Sequence, residues 1–375
     1  MSSDSRVLVV RIPAPRRHDN ADTLSIVDLF DGGYPCIIRT GQYTEGQLAA
    51  YVPIDMQVPD TELFAFLRSK SAKPGSLTRI KAKRLRGVFS MGLLVDAPAG
   101  TTEGDDVTEL LGCVKWEPEA EAERGPSRPG GKFLPGDAEP DPGLIPAYTD
   151  IENLRKWRKL LEGQEVVATE KVHGACSSFT YVAKGDDAAR LWIRSRRQYK
   201  KPQGGGIWAD VAAKYRFAEV LATVCPGVAI SGEVYGQVQD LQYNVGGVDL
   251  VAFDAYNLSQ RRYLDYDDFL KVVGDVNVEL ARLHRISLAN AQQSESIEEC
   301  WVAKSPPLAC LRTAPLLYRG TYDYDKLAAL AEGQTVLGGG AHVREGIVVK
   351  PVRESWHERL GRVILKLAGE GYLTR

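Results

Sequence analysis

Nowhere in this chain do about eighteen apolar residues follow one another, so no stretch reads as a membrane-spanning helix. The opening MSSDSRVLVVRIPAPRR lacks the basic, apolar, small-residue order of a secretory signal. The expectation is a cytoplasmic protein with no membrane partner. Its six cysteines (Cys36, Cys113, Cys176, Cys225, Cys300, Cys310) are scattered, with no CxxC pair and no histidine spacing that would build a zinc site. They read as free thiols, mostly buried. Excess charge is missing as well: a net charge of -2 provides no global positive field, so any contact with a phosphate backbone must come from local clusters. Such clusters are present at Arg16-Arg17, Lys81 to Arg86, Arg155 to Lys159 and Arg194 to Lys201.

With 375 residues and 44% hydrophobic side chains, the chain can bury two separate cores. Residues 6 to about 115 read as short strands with turns: Val7 to Val10, Leu24 to Val27, Cys36 to Arg39, Leu48 to Val52 and Met91 to Val95. That spacing suits a small β-barrel, with Asp31-Gly32-Gly33 as a hairpin-type turn and Thr61 to Lys70 as a short helix. From Glu117 to Gly143 proline, glycine and acidic residues leave too little apolar surface to offset chain entropy, which predicts a linker or extended loop over 117–143. From 144 to 375 strands alternate with helices near Trp208 to Thr223, Tyr266 to Val273 and Tyr324 to Glu332. The fold class is α+β, a barrel domain over 1–116 followed by a larger mixed domain.

Between two strand-like runs of the larger domain lies Glu170-Lys171-Val172-His173-Gly174. A lysine followed by a glycine three positions on is common, and on a turn it is ordinarily a solvated cation. Four downstream segments change its meaning: Ile193 to Arg196, Ser231 to Gly236, Arg344 to Lys350 and Val363 to Leu367. Together they contain what nucleotidyl transfer to a lysine requires. Lysine attacks phosphorus only as the neutral amine, so its pKa must fall below roughly 10.4, and neighbouring cations such as Lys350, Lys366 and a bound Mg²⁺ would lower it. Gly174 would let backbone approach the α-phosphate, and His173 either contacts phosphate or holds the turn. Glu233 and Glu345, each expected at a strand terminus, offer hard oxygen ligands for Mg²⁺ or Mn²⁺. Lys350 ends a buried-looking strand, where a lysine needs a partner. Phe253 is the candidate surface for stacking a purine, and the same pattern reads equally as a core phenylalanine.

These segments resemble the six-part motif series of the covalent nucleotidyltransferase superfamily of DNA ligases, RNA ligases and capping enzymes. The form Glu-Lys-Val-His-Gly resembles the RNA ligase branch, since DNA ligases and capping enzymes favour Asp before the Gly. His18 to Leu24 and Tyr34 to Gly41 resemble OB-fold modules of the kind appended to aminoacyl-tRNA synthetases. The chain stops nine residues after Lys366, leaving no room for a C-terminal OB domain. An N-terminal OB domain followed by a ligase domain is the arrangement of the nick-sealing RNA ligases often called family 5.

The resemblance implies ATP as cofactor, AMP carried on Lys171, and transfer first to a 5′-phosphate and then sealing by a 3′-hydroxyl. It implies Glu170 near the adenine, Arg196 at the ribose or the incoming end, and Glu233 at the ribose or a metal. Phe253 would stack on adenine, Glu345 would bind metal through water, and Lys350 and Lys366 would hold the α-phosphate. The implied partner is a nicked duplex with an RNA 3′-OH and a 5′-phosphate, bound by a monomer, with Lys81, Lys83, Arg84 and Arg86 tracking the backbone. One departure stands out: where many relatives alternate two lysines in the last motif, Ile364 and Ala368 flank Lys366. A DNA ligase, a single-strand RNA end-joiner, GTP in place of ATP, and a non-catalytic nucleic-acid-binding module remain open at this point.

Overall fold

The computed structural model describes residues 6–68, 75–116, 137–148, 151–293 and 309–375. Residues 117–136 of the expected linker, and Cys300, lie outside the described residues.

In the first domain the Leu48–Val52 strand is central, pairing antiparallel with Leu8–Arg11 on one side and Leu93–Asp96 on the other. Its consecutive small residues let two cores meet across it. Ala49 joins a cluster with Tyr34, Tyr51, Phe89 and Met91, while Ala50 joins one with Met56, Val58, Phe64 and Val107. A second sheet orders Arg16–Arg17, Leu24–Asp28 and Tyr34–Arg39. The last two strands are joined through Phe30 and Asp31, both left-handed at φ 51° and 54°. Over the expected Thr61 to Lys70 helix there is only a 3-10 turn, Glu62–Leu67, because a segment that buries Phe64 alone gains too little to propagate.

The second domain is built from two sheets. The larger orders Ala138–Glu139, Tyr199–Lys200, Arg190–Ser195, Ala175–Val182, Val228–Gly236, Val248–Asn257 and Arg262–Tyr263. Residues 137–143 thus run along a sheet edge, where Arg190 grips Glu139 and Arg194 grips Asp141. One face of this sheet, with Phe179, Ile193, Ile230, Val234 and Leu250, is buried against the helices Gly206–Lys214, Phe217–Val224 and Tyr266–Gln293. The first two, expected as one helix, are separated at Arg216, which is left-handed (φ 47°). The third continues twenty residues past the expected end at Val273, because buried Val276, Leu280 and Leu283 keep the helical spacing beyond Gly274. Among the described residues no helix is long and apolar enough to cross a membrane.

The smaller sheet orders Glu152–Asn153, Leu365–Ala368, Gly346–Pro351, Glu165–Glu170 and Leu316–Thr321. Ile347, Val349, Leu365, Leu367, Val166 and Ala168 fill a core on one face. Since side chains alternate along a strand and Lys366 pairs with Val348, both Lys350 and Lys366 belong to the opposite face. Glu165–Glu170 belongs to the smaller sheet and Ala175–Val182 to the larger, so Lys171 to Gly174 is the crossing between them.

Candidate active site

The crossing is held by backbone at both ends. Lys171 N–H donates to Gly346 O at 2.9 Å, which ties the smaller sheet to the turn. At the other end an ideal Cβ on Gly174 would meet Val234 O at 2.1 Å, so close approach to the larger sheet excludes any side chain there. Between these fixed points Lys171 and His173 project into one carboxylate. Lys171 Nζ lies 2.5 Å from Glu345 Oε1, and His173 Nδ1 lies 3.1 Å from Glu345 Oε2. On its other side His173 Nε2 lies 2.9 Å from Asp240 Oδ1, and its backbone N–H donates to the Tyr243 hydroxyl at 2.6 Å.

Charge in this cluster differs from the sequence-based expectation. Burial alone would lower the Lys171 pKa, but Glu345 and Glu233 outweigh it and the ammonium is held above its ordinary range. Of the expected cationic neighbours, Lys350 is paired with Asp254. Burial would lift Glu345, yet Lys171 and His173 hold it down to about 2. Burial pushes Glu233 up to about 7 against the pull of Lys171. Glu345 directly precedes its strand as expected, whereas Glu233 stands inside Val228–Gly236 rather than at a terminus. Cys176, five residues after Lys171, faces the same cluster, but burial and Glu233 push its thiol up and it offers no thiolate.

Farther along the same cleft, Asp254 gathers the cations. Lys350 Nζ donates to Asp254 Oδ1 at 2.6 Å, Arg362 contacts both its oxygens at 2.7 and 2.9 Å, and the Tyr148 hydroxyl donates to Oδ2 at 2.7 Å. Arg362 also holds Glu354 through Nε at 2.7 Å and covers the Tyr263 ring at 3.6 Å. The register of Val228–Gly236 with Val248–Asn257 runs Ser231 to Asp254 and Gly232 to Ala252, which leaves Phe253 as the extra residue of a β-bulge. A bulge re-aims a side chain. Phe253 is half-buried, its ring edge-on to Tyr148 at 5.3 Å.

The remaining expected residues divide. Glu170 follows Ala168 onto the far face of the smaller sheet, where it is 2% exposed, accepts from the Thr335 hydroxyl and accepts from Val336 N–H at 2.8 Å. Its carboxylate is therefore turned away from the cleft face that holds Lys350 and Lys366. Arg196 sits in the exposed turn after Arg190–Ser195, near enough for its charge to act on Glu233. Lys81, Lys83, Arg84 and Arg86 are all exposed, but Arg84 donates to Glu370 of the second domain at 2.7 Å. Asp254, Arg362, Tyr148 and Asp240 were not singled out from sequence. Only Asp254 left a trace there, as an acid inside the apolar run Val251 to Tyr256.

The arrangement defines a ligase-type nucleotidyltransferase fold preceded by an OB module. A family model described as RNA ligase matches residues 164–368, and an OB-fold domain model matches residues 7–97. The chain belongs to the RNA ligase family. No curated protein matches it by sequence. Among solved structures it is similar to the Naegleria gruberi RNA ligase: a lysine-to-alanine variant with ATP and Mn (TM-score 0.74, 20% identity, 98% of each chain). The same ligase with pyrophosphate matches at TM-score 0.73 and 22% identity over 98% of each chain, and an aspartate-to-alanine apo variant at 0.74 and 21% over 100% of this chain and 98% of that one.

Proposed function

We propose that this RNA ligase uses ATP to seal a 3′-OH/5′-phosphate nick through AMP carried on Lys171, with preference for a ribonucleotide 3′-OH. The observation that carries the reading is the 2.5 Å contact between Lys171 Nζ and Glu345 at the crossing of the two sheets, with Glu233 beside it. The Naegleria gruberi structures with ATP and Mn support the choice of nucleotide and metal class.

Glu233 and Glu345 are a hard-oxygen pair beside the nucleophile. Mg²⁺ keeps several positions for water and phosphate, so a pair of carboxylates is enough to hold it or Mn²⁺ beside a nucleotide. Such an ion would neutralise charge on the phosphates. In the chain itself, Lys171 must give up its proton and its hold on Glu345 before its amine can attack the α-phosphorus. The bond to the bridging oxygen then breaks and pyrophosphate leaves. AMP passes from Lys171 to the 5′-phosphate, and the 3′-hydroxyl attacks that activated phosphate and expels AMP.

In this reading Lys366 and Lys350 hold the α-phosphate, Lys350 with its direction set by Asp254. Gly174 and His173 border the phosphates, Phe253 stacks on the base, Arg196 meets the ribose or the incoming end, and Glu170 acts from behind by fixing the strand under Lys171. Lys81, Lys83 and Arg86 contact the duplex backbone, and the protein works as a cytoplasmic monomer.

Intact mass after incubation with ATP and Mg²⁺ or Mn²⁺, beside Lys171→Ala, tests the chemistry. One added AMP that the variant lacks is the expected result; an adduct retained by the variant removes Lys171 from its role. Nicks that differ only in a ribose or deoxyribose 3′-OH then test the sugar preference.

A further inference from the structure

Between the two strands that contribute Lys350 and Lys366 the chain makes a small hairpin, Trp356–His357 paired with Gly361–Arg362. Three residues, Glu358 to Leu360, close it, and Gly361 takes the left-handed conformation (φ 77°) that such a loop requires. His357 turns inward, its ring 5.4 Å from that of Trp157, and the Arg359 guanidinium lies 5.9 Å from the same ring. Trp356 turns outward. Among the described residues it is, at 78% exposure, the most open of the large apolar side chains.

Its position relative to the cleft is fixed by register. Trp356 is paired directly with Arg362, so their Cβ atoms stand about 5 Å apart, and Arg362 is the residue that clamps Asp254 and, through it, Lys350. The indole therefore stands one residue pair from the buried network at the cleft wall. The charges around it favour a polyanion. Glu354 is taken by Arg362, while exposed Arg353 and Arg359 make no ion pair with any described residue, against the single exposed acid Glu358.

We propose that this hairpin is a contact for the nucleic-acid substrate, in which the Trp356 indole stacks on a base near the reacting ends and Arg353 and Arg359 take flanking phosphates. Aromatic stacking accepts any base, and phosphate contact accepts any sequence, as an enzyme acting on breaks of arbitrary sequence requires. The inference rests on the ligase reading for its substrate, but it assigns a surface that the adenylylation chemistry does not need.

The test is binding and sealing of a nicked duplex with 3′-OH and 5′-phosphate ends by wild type, Trp356→Ala, Trp356→Phe and Arg353→Ala/Arg359→Ala. Trp356→Ala should weaken binding roughly 5-fold to 100-fold with self-adenylylation and thermal midpoint unchanged, and Trp356→Phe should recover most of the loss. The double arginine variant should lower the slope of log affinity against log salt by about one to two. Equal affinity of wild type and Trp356→Ala for the nick, with both folded, would overturn the proposal. Because binding is read without ATP, that outcome is distinct from failure of wild type to adenylylate, which would instead sink the ligase chemistry.

Discussion

Lys350 Nζ lies 2.6 Å from Asp254 Oδ1, and neither side chain is more than 6% exposed. The two residues come from different sheets, so this pair ties the sheets together, and the Arg362 clamp fastens the small hairpin to the same carboxylate. Removing Asp254 would leave buried Lys350 and Arg362 to share the Glu354 carboxylate, and breaking a buried pair typically costs about 3–5 kcal/mol. Asp254→Ala should therefore show a large drop in denaturant midpoint. The neighbouring cations also hold the Asp254 carboxyl well below its ordinary range despite its burial. A depressed folded pKa gives stability that is fully present above the unfolded value of roughly 3.9 and is lost as pH falls through the lower folded value. The stability gap between wild type and Asp254→Asn should stay flat from about pH 5 to 8 and close below about pH 4, as urea unfolding across that range would show.

Gly174 is required by distance rather than by backbone angle. The 2.1 Å separation between an added Cβ and Val234 O leaves nothing flexible to move, because the obstacle is the backbone of a central strand. Gly174→Ala should push the crossing off the larger sheet and carry Lys171 away from Glu345. Self-adenylylation measured by intact mass should fall at least about 100-fold, the scale of a misplacement near 1 Å. A variant that labels at the wild-type rate would show that the crossing has slack.

How much of this could be read beforehand depends on whether a feature is local. Lys171, Gly174 and Glu345 were visible because motif spacing along the chain carries them, and the strands around them because apolar alternation does. The Asp254, Arg362 and Tyr148 network was not, since it joins residues 106 and 108 positions apart and each alone looks like an ordinary polar residue. Leu316–Thr321 was missed for a different reason. As an outer strand with Gly320 near its end it shows no buried alternation, only half-exposed and exposed positions. Glu170 shows the limit of reading a motif by adjacency: a strand sends neighbours to opposite faces, so the residue beside the nucleophile has its carboxylate behind the sheet.

The two domains meet at a second close approach. An ideal Cβ on Gly33, at the left-handed turn of the OB domain, would stand 2.1 Å from Arg155 O of the ligase domain, while Lys156 Nζ covers the Phe30 and Tyr34 rings at 5.1 and 5.2 Å. The Arg155 to Lys159 cluster is thus used in part to seat one domain on the other. Gly33→Val should tilt the OB domain without touching the Lys171 cleft. Adenylylation at the wild-type rate with nick sealing reduced about tenfold or more is the expected pair of readouts; loss of both would mean that the OB seat also shapes the cleft.

Phe253 separates binding from folding. The bulge that frees it from a cross-strand partner also leaves it half-buried, with Tyr148 on its edge and not on its face. A core phenylalanine truncated to alanine costs about 3–5 kcal/mol of stability, but a ring held at a cleft wall loses mainly what it stacks on, about 1–3 kcal/mol. Phe253→Ala should therefore raise the Kd for ATP roughly 5-fold to 100-fold while the denaturant midpoint moves little, and Phe253→Tyr should restore affinity. The opposite pattern, unchanged ATP affinity with a collapse in stability, would return Phe253 to the core and leave the purine to another surface of the cleft.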